Sequence, residues 1–162
     1  MQTVLFICSG NTCRSPMAEA IARHSIATGL MDEEANVLAA SAGASADDGQ
    51  PPSPQTLQAL QRLGIDHAGA SKPLTAAMIR KADHVLCMTA AHVEAARTLV
   101  ADSEAEKKKI ALLDPSGDVE DPIGQGQAAY DDLAKQFASL IPKRLKELLG
   151  HANRTGIGPS RR

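Results

Sequence analysis

A cysteine at position 8 and an arginine at position 14 bracket the stretch CSGNTCRS, which joins an apolar run, TVLFIC, to a helical pattern that starts at Ser15. A loop entering a helix N-terminus turns successive backbone N–H groups inward, and the helix dipole adds partial positive charge. Gly10 permits a tight turn there. Arg14 offers a planar fork that matches two oxygens of a phosphate-like group. A cysteine in such a field is favoured as the thiolate, the form that attacks phosphorus. Cys-x5-Arg alone is a weak signal; with a strand before it, a glycine inside and a helix after, it is specific. No Gly-Lys-Ser/Thr follows, so the loop is not of the Walker type.

Other elements must place this loop. TVLFIC (3–8), NVLAASAG (36–43), DHVLCM (83–88) and the apolar end of KKKIALL (109–113) read as strands. Helical spacing runs from Ser15 to about Thr28. A second helix starts at Ser53-Pro54, with the stripe Leu57, Leu60 and Leu63, and stops at Gly64. Thr75 caps a short helix to Lys81, and another runs from Thr89 to about Val100. A loop over 114–126 precedes a long helix from about Gln127, in which Pro142 predicts a kink or a break. Strands alternating with helices predict an α/β domain, a doubly wound parallel four-stranded sheet with helices on both faces. Ligands of such sheets bind beyond the carboxyl ends of the strands, where Cys8 stands.

At 162 residues the chain is one domain over 1–150, followed by an aperiodic, flexible tail over 151–162. The net charge of −2 gives no electrostatic reason to expect nucleic acid or an anionic membrane. No apolar run approaches the roughly 18 residues of a membrane span. Three cysteines and no leader pattern suit the cytoplasm rather than a disulfide-stapled secreted protein. One Tyr, two Phe and no Trp leave an aliphatic core and little to stack on a ligand. The lysines at 107–109 read as a solvated face, and Cys87 reads as core.

CSGNTCRSP resembles the signature loop of the low-molecular-weight protein tyrosine phosphatases, a family that also holds protein arginine phosphatases and thioredoxin-coupled arsenate reductases. The similarity extends through SAG (41–43), SKPLT (71–75) and ADHVLCMT (82–89) to DPIGQGQAAYDDL (121–133). It implies a cysteinyl-phosphate mechanism. Cys8 would attack phosphorus, and Arg14 with the loop residues Ser9, Gly10, Asn11, Thr12 and Cys13 would hold the phosphoryl oxygens. Ser15 would hydrogen-bond the thiolate, and Asn11 and Ser41 would hold the loop in shape. Cys13 would be either a packing residue or a disulfide partner that protects Cys8 under oxidation. Aligned from GI to PLT, the family's bracing histidine falls on Gly69, which leaves His67 outside the site. The resemblance implies no metal and no cofactor, a phosphorylated protein as partner, and a monomer.

The leaving group needs a proton donor, and two Asp-Pro pairs compete, at 114–115 and 121–122. The family pattern selects Asp121, nine residues before Tyr130. An arsenate reductase would need two further relay cysteines; Cys87 is near the first position, but Glu94 stands at the second. A non-catalytic phosphate binder would have no need of Cys8. Among phosphatases, tyrosine-directed members carry a bulky aliphatic residue where Thr12 stands, and aromatics after the Asp-Pro. Arginine-directed members share the threonine and a loop acid matched by Asp118, which would pair with the substrate's charge. They usually have an aromatic where Ile123 stands. The sum leans to phosphoarginine over phosphotyrosine.

Overall fold

Alternate residues of the first strand face two separate cores. Val4, Phe6 and Cys8 join one apolar cluster, and Leu5 and Ile7 join the other. This is the pattern of a strand covered on both sides. In the computed structural model, which describes residues 1–29 and 36–155, the order is β1 (Gln2–Cys8), α1 (Arg14–Ala27), β2 (Val37–Gly43), α2 (Pro54–Arg62), α3 (Ala76–Lys81), β3 (His84–Cys87), α4 (Ala90–Leu99), α5 (Glu104–Lys108), β4 (Ile110–Leu112) and α6 (Gln127–Thr155). All strand pairs are parallel, in the order β2-β1-β3-β4. Residues of α1, α2 and α6 fill one core, with Met17, Ile21, Leu60, Phe137 and Ile141. Residues of α3 and α4 fill the other, with Ile79, Val93 and Ala96. The domain is therefore the doubly wound α/β sheet the sequence predicts. Strand order reverses between β1 and β3, so the crevice for a ligand opens beside Cys8.

Four of the first five helices are capped by a side chain: Ser53, Thr75, Thr89 and Ser103 each accept from a backbone N–H of the first turn. Each such cap contributes about 1 kcal/mol. The exception is α1, whose Cys13 side chain makes no capping bond to the first turn. Its first-turn donors are left to whatever sits in the loop.

Two expectations change. Pro142 does not split the last helix, which is continuous to Thr155. Phe137, Ile141 and Leu145 are fully buried on either side of it. At about 1.5–3 kcal/mol each, they outweigh the ~3 kcal/mol of an internal proline. The helix also takes in the first residues of the expected tail, and 156–162 lie outside the described residues. The lysine run is not a uniform solvated face. It ends the short helix α5, and Lys109 Nζ donates to Ala82 O at 2.6 Å and pairs with Glu106 at 2.5 Å.

Gly43 closes β2 directly opposite Cys8. A Cβ there would collide with the Ser9 carbonyl oxygen and lie 2.7 Å from Ala46 Cβ and 3.0 Å from Asn11 Cβ. Gly43→Ala should therefore destabilise the fold by roughly 1–3 kcal/mol, the usual cost of overpacking, and reduce turnover by displacing the loop. Denaturant titration and steady-state kinetics on one preparation test this; an Ala variant of wild-type stability and rate would refute it.

Candidate active site

The loop after β1 is wrapped around the Cys8 sulfur. Sγ lies 2.9 Å from Ser15 Oγ, and the Asn11 N–H donates to it at 3.3 Å. Cys8, Asn11, Arg14 and Ser15 are all at least 95% buried. Asn11 is the one non-glycine with a positive φ, 56°, among the described residues. Its side chain compensates for that backbone. Nδ2 donates to Ser15 Oγ at 2.8 Å and to Ser41 Oγ at 3.0 Å, while Oδ1 accepts from the Lys72 N–H at 3.0 Å. Asn11 and Ser41 thus stand where the family resemblance puts loop supports.

The rest of the loop is fastened residue by residue. The Thr12 carbonyl accepts from the Ser53 N–H at 2.9 Å and from Thr56 Oγ1 at 3.2 Å. Among the described residues the Thr12 hydroxyl has one hydrogen-bond partner, the Cys13 sulfur at 3.8 Å. Cys13 Sγ lies 3.5 Å from Ser53 Oγ and 3.6 Å from the Tyr130 hydroxyl. Burial and the Cys13 contact push the Tyr130 phenol up to about 12. Ser9 Oγ lies 2.7 Å from His92 Nε2.

Arg14 Nη1 donates to the Val119 carbonyl at 3.0 Å, and Nη2 faces Asp121 Oδ2 at 3.6 Å. The guanidinium keeps further N–H groups for anion oxygens. The Asp121 side chain is 42% exposed, and its other oxygen accepts from the Ile123 N–H. Geometry therefore separates the two Asp-Pro pairs. Asp114 closes a local turn on Ser116, whose hydrogen bonds hold its carboxyl below the usual range, and it lies in a different hollow, beside Arg144. Asp118 is near the site but partly committed, since Oδ1 accepts from the Ala90 N–H at the start of α4.

The sequence analysis leaves His67 outside the site and does not single out His92. His67 Nε2 faces Glu19 Oε2 at 3.4 Å, both side chains under 10% exposed. They flank a cavity of about 100 Å³ behind the loop, shared with Asn11, Ser41 and Lys72. Burial pushes the Glu19 carboxyl up and the His67 imidazole down. A Cβ on Gly69 would lie 3.3 Å from the His67 ring. The ring therefore fills space that a side chain at 69 would need, and the missing side chain was the available clue. His92 had none: its link to Ser9 spans 83 positions. Cys87 is core, as read, its thiol pushed by burial up to about 12.

A buried thiol, a buried guanidinium and a half-exposed carboxylate gathered at a parallel-sheet switch point are the parts of a cysteine-dependent phosphatase. Comparison with known proteins agrees. The chain belongs to the low molecular weight phosphotyrosine protein phosphatase family, whose profile matches residues 3–155. It is similar to a protein-arginine-phosphatase of Bacillus subtilis, 33% identical over 152 residues that cover 90% of this chain and 95% of the relative. A low molecular weight protein-tyrosine-phosphatase, PtpB of Staphylococcus haemolyticus, is 30% identical over 140 residues, covering 86% and 95%. Among solved structures, the YwlE arginine phosphatase in a cysteine-to-serine form with a phosphorylated active-site serine superposes with a TM-score of 0.82. It is 32% identical, covering 94% of this chain and 99% of the other. The chain is accordingly a hydrolase of phosphorylated protein side chains. No helix among the described residues is long and apolar enough to cross a membrane.

Replacing Asn11 separates its backbone role from its side-chain role. Asn11→Gly keeps the left-handed conformation and removes the braces; Asn11→Ala loses both. Both should lose most activity, with Ala less stable than Gly by about 1–2 kcal/mol. Retained activity in the Gly variant would show that the braces are dispensable. Thermal and kinetic comparison of the pair decides.

Proposed function

We propose that this chain hydrolyses phosphoarginine in proteins by covalent catalysis. The Cys8 thiolate attacks phosphorus, the P–N bond breaks as P–S forms, and Asp121 protonates the departing guanidino nitrogen. Water then attacks the cysteinyl phosphate with Asp121 as base, releasing phosphate and restoring the thiolate. Arg14 and the inward amides of residues 9–14 hold the phosphoryl oxygens throughout. Ser15 steadies the thiolate at 2.9 Å. The phosphorylated serine in the related YwlE structure supports attack by the residue at this position.

The observation that carries the choice of substrate is the groove beside Asp121. Its lining includes Asp118, Glu120, Asp121 and Asp132. The chain's three aromatic side chains, Phe6, Tyr130 and Phe137, are all buried. Nothing is left to stack on a phenyl ring, while carboxylates suit a cationic guanidinium. The Thr12 hydroxyl, held only by a long contact to the Cys13 sulfur among the described residues, adds a partner for a nitrogen-rich leaving group. Similarity to the Bacillus subtilis protein-arginine-phosphatase points the same way. Three unpaired cysteines support a reducing cytoplasm, and the net charge of −2 argues against nucleic acid.

Turnover of phosphoarginine and phosphotyrosine peptides, by wild type and Thr12→Ile, tests the substrate. Wild type should favour phosphoarginine. Leaving the leaving group's N–H without a partner costs about 1–3 kcal/mol, so Thr12→Ile should lower phosphoarginine turnover roughly ten- to a hundredfold at ~1.4 kcal/mol per decade. It should spare or raise phosphotyrosine turnover. Equal changes on both, or a wild-type preference for phosphotyrosine, would overturn the assignment; the exposed Ile123 would then be the apolar rim for a ring.

Asp121→Asn should lower turnover of poor leaving groups about 10²–10⁴-fold and that of activated aryl phosphates far less. If Asp114→Asn shows that split and Asp121→Asn does not, the acid is misassigned.

A further inference from the structure

The geometry points to His92 as a positioning residue of this reaction: its Nε2 holds the Ser9 hydroxyl across the β1/β3 crevice and so fixes the first turn of the phosphate loop. The inference rests on the phosphate-binding role of that loop, and its test does not need turnover.

His92 is 94% buried, at 6% exposure, in the first turn of α4. Among the described residues two buried side-chain polar atoms have no hydrogen-bond partner, His92 Nδ1 and Glu106 Oε2. The second faces the Lys109 ammonium at 2.5 Å and is satisfied by charge. His92 Nδ1 has no such relief. An apolar side chain would fill this place without leaving a nitrogen unpaired, so the imidazole carries a cost that packing does not explain. The one bond its ring makes is to the loop, 2.7 Å from Ser9 Oγ.

The tautomer follows from the same inventory. A neutral imidazole has one N–H. Placing it on Nε2 makes the ring donate to Ser9 Oγ and leaves Nδ1 a bare acceptor, which is cheaper to leave unpaired than a donor. Burial and the Arg14 charge both hold the ring neutral, against the opposing pull of Asp118 and Asp121.

The bond matters because of what the rest of the loop already has. Asn11 is tied to Ser41 and Lys72, Thr12 to Ser53 and Thr56, Cys13 to Ser53 and Tyr130, and Arg14 to Val119. Those ties come from the β2 side of the loop, the start of α2, the last helix and the acid loop. Ser9 is where the loop leaves β1, and His92 is its side-chain tie to α4. The helix is itself locked to the acid loop, since Asp118 accepts from the Ala90 N–H and the Val119 N–H donates to Met88 O at 2.8 Å. His92 thereby registers the first amides of the phosphate loop against the loop that carries Asp121.

Inorganic phosphate is the probe, titrated calorimetrically against the resting protein. His92→Gln places an amide near the position of Nε2, whereas His92→Asn reaches only as far as Nδ1. The Gln variant should bind phosphate nearly as wild type. The Asn variant and Ser9→Ala should each bind it roughly three- to tenfold more weakly, the loss of one hydrogen bond. The Ser9→Ala/His92→Asn double variant should be no weaker than either single. Thermal midpoints are recorded alongside, because a packing role would lower stability in Gln and Asn alike and leave phosphate affinity unchanged. That result, additive losses in the double variant, or rescue by Asn rather than Gln would overturn the proposal. Phosphate affinity is read on the resting protein, so failure to hydrolyse phosphoarginine leaves this test intact.

Discussion

Converging backbone N–H groups on one point is what the site requires, and it is what the chain does least willingly. The donors repel one another, and the turn that aims them puts Asn11 at φ 56°, a conformation that non-glycine residues seldom adopt. The remedy is local and polar. The Asn11 amide spends both ends on its neighbours, giving to Ser15 and Ser41 and taking from the Lys72 backbone. A glycine would adopt the angle more readily but would leave the loop free to relax when no anion holds it. The asparagine keeps the cradle formed in advance, so that little reorganisation remains at the moment of reaction.

The rest of the fold follows from keeping that loop fixed. Gly43 is bare because the strand bearing it passes too close to Ser9 and Asn11 for a side chain. α1 lacks the side-chain cap that α2 to α5 have, and it begins directly from the loop. Arg14 is buried, yet its charge is met by the Val119 carbonyl and the Asp121 carboxylate. Burying a guanidinium is costly unless it is paired, so the loop bearing Asp121 supplies a counter-charge that keeps the arginine in place, in addition to the proton donation proposed for it.

What the sequence made legible is what is contiguous in it. Cys8 to Ser15 is one strand end, one turn and one helix start, and its chemistry can be read without knowing the fold. The strands, the Ser53, Thr75 and Thr89 caps and the doubly wound sheet follow from period and punctuation. Asp121 needed the family pattern to be chosen over Asp114; in the structure Asp121 faces Arg14, while Asp114 closes a turn on Ser116 in another hollow. Three things were out of reach, each for the same reason. His92 meets Ser9 only because α4 follows the strand beside β1. His67 reaches the cavity behind the loop from a position two residues off the family's register, into space left by Gly69. The last helix tolerates Pro142 because buried neighbours on both sides hold it. All three are decided by tertiary contact, which periodicity cannot report.

The scarcity of aromatic residues bears on selectivity as well as on packing. A phosphate loop is indifferent to what lies beyond the phosphorus, because it binds oxygens common to every phosphoester and phosphoramidate. Discrimination must come from the walls. With all three aromatic rings buried, the groove is lined by carboxylates, amides and aliphatic groups. A phenyl ring would gain limited contact there and lose water from the carboxylates around it. A guanidinium would keep charge partners through the whole reaction, including after it takes the proton from Asp121. The same acids disfavour the negatively charged phosphoryl group unless Arg14 and the loop amides outweigh them, so the proposed selectivity for a cationic leaving group would depend on how firmly the loop is held.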